Sequence, residues 1–209
     1  MGAAPSTART PPRWFHLLAG PNGAGKSTLY RALVREGILG PPLEFVNADL
    51  YEQAHLQHIA DPEARSDAAR QWADDRRAHL LREGTDFASE TVFSHPSKLA
   101  LIDEAQRCGY TVALYIVALD DPARLLARVA QRVREGGHTV PPERILARYP
   151  RTMDNLAQAV RQADVSYLYD AAEATSTSTG PQLVAVCTPT NVTPLTQPLP
   201  AWAQRLTGK

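Results

Sequence analysis

Cysteine is almost missing from this chain. Cys108 and Cys187 are the only two in 209 residues, too few for a disulfide framework or a cysteine zinc site. Neither sign of charge is in excess, since 22 basic residues face 22 acidic ones. No basic field therefore argues for nonspecific nucleic-acid binding. Long apolar runs are absent as well: the longest covers residues 110–119, about half of what a bilayer-crossing helix needs. Residues 1–12 contain Arg9 with no apolar stretch behind it, which does not read as a secretory leader. Lysine is scarce, with Lys26, Lys98 and Lys209 standing against 19 arginines. What remains, 44% apolar and 21% charged residues, is ordinary composition for one globular domain with a real core. A cytoplasmic protein without a membrane or nucleic-acid partner is expected.

Strand-like and helix-like stretches alternate. Residues 14–19, 44–48, 86–90, 110–119 and 182–187 read as strands. Residues 26–36, 51–82 (one or two helices), 97–108 and 122–135 read as helices. A further helix begins at Pro141-Pro142 and is expected to break at Pro150 before resuming over 154–163. Alternation of this kind predicts an α/β fold with a mostly parallel sheet covered on both faces. The expected organisation is a disordered tail over 1–12, one domain over 13–190, and a tail over 191–209 with no clear period.

The chemistry starts at Gly20-Pro21-Asn22-Gly23-Ala24-Gly25-Lys26-Ser27, followed by Thr28. It fits the phosphate-binding pattern G-x-x-x-x-G-K-[ST] between a strand and a helix. Glycines let successive N–H groups turn inward, and the helix N-terminus adds to the anion site. Lys26 is then expected on the β- and γ-phosphates of ATP, and the Ser27 hydroxyl on Mg²⁺. A scarce lysine standing where a phosphate needs one supports this over a mere glycine turn. The fold expected is a P-loop three-layer sandwich.

Two carboxylates lie at predicted strand ends, where open α/β sheets bind ligands. Asp49 is either the carboxylate that orients and deprotonates an acceptor hydroxyl or the N-cap of the following helix. Glu90, followed by Thr91, is either a group that binds a polyol or sugar or the cap of the turn into Ser97. Arginines crowd residues 124–151 around a glycine hinge at Gly136-Gly137. They suit a helical lid that closes over ATP, or else they are the solvated face of two helices. Arg132 and Arg134 are the candidates for the transferred phosphoryl, and Arg128 and Arg148 for the acceptor. His55 and His58 share a helix face without a third metal ligand, and Asp120-Asp121 before Pro122 reads as a helix cap.

Four blocks, AGPNGAGKST (19–28), VNADLYEQAHL (46–56), FASETVFSHPSKL (87–99) and RVREGGHTVPPERILARYPRTMDNL (132–156), resemble the zeta-toxin family of P-loop kinases in identity and order. So does Ala163-Asp164 leading to Tyr169-Asp170. The resemblance covers about residues 14–170. It implies an ATP- and Mg²⁺-dependent kinase that phosphorylates a hydroxyl of UDP-N-acetylglucosamine or a similar nucleotide sugar. By this likeness Asp49 is the catalytic carboxylate, Glu90 holds the sugar, lid arginines clamp the phosphates, and a cognate antitoxin is a possible partner. Founding members are longer and carry two lid arginines at a fixed separation, whereas this chain offers Arg128, Arg132, Arg134 and Arg148. The alternatives are a kinase of another metabolite, or a regulatory P-loop protein whose lid is a switch element.

Overall fold

The computed structural model describes residues 11–40, 43–134, 141–172 and 180–208. The elements, in chain order, begin with β1 (Arg13–Ala19), α1 (Lys26–Arg35), β2 (Glu44–Val46), α2 (Ala48–His55) and α3 (Pro62–Glu83). They continue with β3 (Phe87–Thr91), α4 (Ala100–Arg107), β4 (Tyr110–Ala118), α5 (Pro122–Arg134) and α6 (Pro142–Gln162). The last are β5 (Val165–Asp170), β6 (Gln182–Thr188), β7 (Asn191–Pro194) and α7 (Ala201–Thr207). One seven-stranded sheet runs in the order β2-β3-β1-β4-β5-β6-β7. Strands β2 to β5 pair in parallel, and β6 and β7 close the far side antiparallel.

Successive residues of a strand point to opposite faces, and here both faces are apolar. Phe15 and Leu17 of β1 with Val112, Leu114 and Ile116 of β4 meet Leu80 of α3, Ile102 of α4, Leu156 of α6 and Trp202 of α7. On the other face Leu18, Ala113, Tyr115 and Val117 meet Leu29 and Leu33 of α1 and Leu125 and Val129 of α5. The α/β sandwich expected from alternation is the fold observed, with β1 central and its C-terminal end open for the site.

Three local expectations are corrected, and one strand appears where none was expected. The chain leaves β2 at Val46, not Ala48, because Asn47 caps α2 by accepting from the Leu50 N–H. Helix α6 runs unbroken through Pro150. That proline is exposed, while Ile145, Met153 and Leu156 on the buried face hold the helix together, so packing outweighs the missing N–H. Residues 165–170 form β5, a strand that its polar Ser166 and Asp170 disguised.

Residues 191–208, expected as a tail, form β7 and α7. The backbone N–H groups of Ala201 and Trp202 donate to the Asp120 carboxylate at 3.1 and 2.6 Å. The Trp202 indole N–H donates to Asp170 Oδ1 at 3.0 Å. These partners are 32 to 82 positions away, so no local period announces them. The N-terminal tail expectation, apart from Pro11 and Pro12, lies outside the described residues.

Candidate functional site

The phosphate loop is shaped by glycine where no other residue fits. Gly20 has φ 146°, and a Cβ there would stand 2.1 Å from the Val117 carbonyl oxygen. Gly25 has φ 103° and occupies the N-cap of α1 without any side-chain bond, which leaves the helix's first N–H groups for a ligand. Lys26 is buried at 6% exposure. Its ammonium donates to the carbonyls of Gly20 and Pro21 at 3.0 and 3.3 Å and lies 3.5 Å from Glu90 Oε1.

Glu90 sits at the end of β3, the strand beside β1, in register with Leu18. Its Oε2 accepts from the Ser27 hydroxyl at 3.1 Å and from Asn47 Nδ2 at 2.8 Å. The turn-cap alternative for Glu90 falls, because His95 accepts from the Ser97 N–H there instead. Glu90 therefore faces the P-loop side of the crevice, against Lys26 and Ser27. Hydroxyl and carboxylate oxygens a hydrogen bond apart are the hard donors that Mg²⁺ prefers, so Ser27 and Glu90 fit the ion.

Asp49 lies in the first turn of α2. The cap alternative for it also falls, since Asn47 performs that role. Asp49 lines a cavity of about 270 Å³ together with Lys26 and Glu90. Thr91 lines the same cavity, and its hydroxyl oxygen accepts from the Phe93 N–H at 3.5 Å. The loop behind it is pinned by Phe93, fully buried at φ 62°, whose carbonyl accepts from Asn155 at 2.9 Å.

The arginines part company. Arg148 lines the cavity, as does Arg70 of α3. Burial lowers the Arg148 pKa, and the neighbouring Arg144, Arg70 and Arg151 lower it further. Arg148 and Arg70 at the cavity wall, with Arg144 and Arg151 close enough to Arg148 to repel its charge, favour an incoming anion, although Arg70 also pairs with Asp67,. Arg128 instead donates to the Ala171 carbonyl at 2.6 Å, and burial, with Arg124 beside it, lowers its pKa. Arg134 is exposed and donates to Gln131 of its own helix at 2.6 Å. The Arg132 side chain and the glycine hinge lie outside the described residues. Of the two aspartates before Pro122, Asp121 caps α5 through the Ala123 N–H at 2.8 Å. His55 packs against Tyr51 with the two rings tilted, and the described residues contain no cluster of three metal-ligating side chains.

Sequence reading missed Asn47, Arg70, Arg77 and Lys98 of the cavity lining. For Lys98 a signal existed: it is one of only three lysines, the same scarcity that singled out Lys26. Its ammonium donates to Asp74 at 3.3 Å, and Asp74 also pairs with Arg77.

Comparison with known proteins agrees with this geometry. The zeta toxin family profile matches residues 4–177. Among solved structures, a chain from the PezAT chromosomal toxin–antitoxin system of Streptococcus pneumoniae is similar, with TM-score 0.59 and 17% identity over 79% of this chain and 70% of that one. A chain of the AvrRxo1-ORF1:-ORF2 complex with ATP superposes with TM-score 0.64 and 18% identity, over 88% of this chain and 61% of that one. This protein thus spans less than two thirds of that neighbour. A chain of the Pnkp1/Rnl/Hen1 RNA repair complex gives TM-score 0.58 at 16% identity, covering 74% of this chain and 49% of that one. At such identities these likenesses establish the fold. No curated protein sequence matches. With the family profile spanning most of the chain and the P-loop, its lysine and a facing carboxylate in place, the protein belongs to the zeta-toxin family of P-loop kinases, ATP-dependent phosphotransferases.

Proposed function

We propose that this chain transfers the γ-phosphoryl of ATP to a hydroxyl of a nucleotide sugar such as UDP-N-acetylglucosamine. The observation that carries the reading is the cavity shared by Lys26, Glu90, Asp49 and Arg148. It sets a phosphate loop, a carboxylate and an anion-seeking arginine cluster around one space. A sugar alone has no use for Arg148 and Arg70, whereas a sugar that carries a diphosphate does.

In this reading the P-loop N–H groups and Lys26 hold the triphosphate. Ser27 and Glu90 hold Mg²⁺, which when bound offsets charge on the phosphate oxygens. Glu90 thereby serves the metal side, and Thr91 stays with the acceptor. Asp49 accepts the acceptor's hydroxyl proton as the oxygen forms its bond to the γ-phosphorus. The bond from that phosphorus to the β–γ bridging oxygen breaks, and ADP leaves. Arg148 grips the acceptor's own phosphates; Arg132 and Arg134 on α5 are proposed for the transferred group when the lid closes. Arg128, tied to the Ala171 carbonyl, requires that bond to be exchanged before it reaches an acceptor.

The described residues contain no helix long and apolar enough to cross a membrane. The proposal places the enzyme in the cytoplasm, where ATP and nucleotide sugars are made. A cognate antitoxin belongs to the same proposal, supported by likeness to the PezAT toxin–antitoxin system.

The test is incubation with ATP, Mg²⁺ and a panel of UDP-sugars, read by mass for a product heavier by one phosphate. ADP release that ignores every acceptor would favour the regulatory switch instead.

A further inference from the structure

Asn47 joins the two halves of the site. Its Oδ1 accepts from the Leu50 N–H at 3.1 Å and caps α2, the helix that carries Asp49. Its Nδ2 donates at 2.8 Å to Glu90 Oε2, the oxygen that also accepts from the Ser27 hydroxyl. The residue is 4% exposed, so water does not replace either bond. The amide orientation follows from its partners: reversed, its oxygen would face a carboxylate and its NH₂ group an N–H.

The strands behind Asn47 and Glu90 are fixed to each other. Val46 pairs with Ser89 in the β2–β3 ladder. The Ser89 hydroxyl donates to the Val46 carbonyl at 3.0 Å and accepts from buried Arg77 Nη1 at 3.2 Å. Asn47 and Glu90 therefore leave neighbouring strands side by side. Capping alone does not require asparagine, since serine, threonine and aspartate cap as well. Aspartate, however, would set a second negative charge against Glu90, and serine has one short oxygen in place of a separate acceptor and donor. The feature of Asn47 that the cap leaves unexplained is its donor, and that donor is spent on Glu90.

We propose that Asn47 is a positioning residue for phosphoryl transfer. It fixes the Asp49 wall of the cavity relative to the Ser27–Glu90 oxygen pair, so that the acceptor hydroxyl meets the triphosphate at a set distance. The proposal rests on the reading of Asp49 and Glu90 given above.

The test compares Asn47→Ser, which keeps a cap and removes the amide donor, with Asn47→Ala, which removes both. On the full chain, melting temperature, ATP affinity with and without Mg²⁺, and kcat and KM with UDP-N-acetylglucosamine are measured. Asn47→Ser is expected to melt close to wild type and to lose about tenfold in kcat at unchanged acceptor KM. The gain in ATP affinity that Mg²⁺ brings is expected to shrink several-fold. Asn47→Ala should show the same losses and also melt earlier. In a Glu90→Gln background Asn47→Ser should add little further loss, because the interaction it removes is already weakened. Asn47→Ser with wild-type kcat and wild-type magnesium linkage would overturn the proposal, as would an undiminished loss in the Glu90→Gln background. Wild-type protein that phosphorylates no acceptor would defeat the functional reading instead. The magnesium linkage of ATP binding would then still decide the part played by Asn47.

Discussion

The phosphate loop and the acceptor cavity lie against each other and are built in opposite ways. The loop is nine consecutive residues, Gly20 to Thr28, whose shape depends on glycines in the left-handed region and on a single buried lysine. The cavity takes Asp49 from α2, Arg70 from α3, Glu90 from β3 and Arg148 from α6, four elements spread across a hundred positions of the chain. A contiguous site is fixed by backbone geometry and tolerates little. An assembled site is as good as the packing that brings its walls together, and so it fails by degrees.

Substitutions separate the two. Lys26→Ala is expected to remove transfer by more than about 10³-fold, because no other cation stands in the loop to meet the phosphate charge. Asp49→Asn should cost about 10²–10³-fold in kcat while ATP affinity, measured by calorimetry, stays near wild type. Equal loss of ATP binding in both variants would erase the distinction between loop and cavity. Trp202→Ala, far from either, is expected to destabilise the fold by about 3–5 kcal/mol in urea titrations. It loosens α7 against α6 and with it the Arg148 wall, so kcat/KM should suffer before P-loop nucleotide binding does. Arg148→Ala should raise the acceptor KM about tenfold with a smaller change in kcat. A loss confined to kcat would move Arg148 from the acceptor to the transferred phosphoryl.

The smallest effect concerns the sheet beneath the loop. Burial lowers the His16 pKa from its ordinary 6.5, against a weaker upward pull from Asp86. As pH falls below 6.5, the unfolded chain takes up the proton before the folded one does. The stability held by neutral His16 is thus full above that value and lost toward the depressed folded pKa. A urea midpoint series between about pH 5 and pH 8 should slope downward on acidification, and His16→Phe should flatten it. A wild-type series with no slope would remove this feature.

The same contrast explains what was legible in the sequence. The P-loop was readable because its residues are adjacent and each type answers a local need. Strands β1, β3, β4 and β6 and helices α1 and α5 were readable from apolar period and glycine or proline punctuation. The role of Asp49 stayed open because an aspartate after a strand is equally a cap; the structure gives the cap to Asn47, two residues earlier and in contact with the Leu50 N–H. Glu90 was assigned to the acceptor from its place at a strand end, whereas its contact with Ser27 depends on β3 lying next to β1. Strand order is a tertiary fact that no spacing along the chain encodes. Arg128 and Arg134 illustrate the limit for a dense arginine run, in which side chains differ only in what each happens to reach. Residues 191–208 were opaque for a related reason: α7 is seven residues long, too short for a period, and its cap is supplied by Asp120.

The outermost strand has a colloidal consequence. β7 is four residues long and ends in Pro194, which has no N–H to offer a neighbouring chain,. Behind it β6 carries Leu183, Val184, Ala185, Val186 and Cys187 in succession. A version truncated after residue 190 would expose that greasy ribbon as a template for strand addition, and preparations of it should clump during purification.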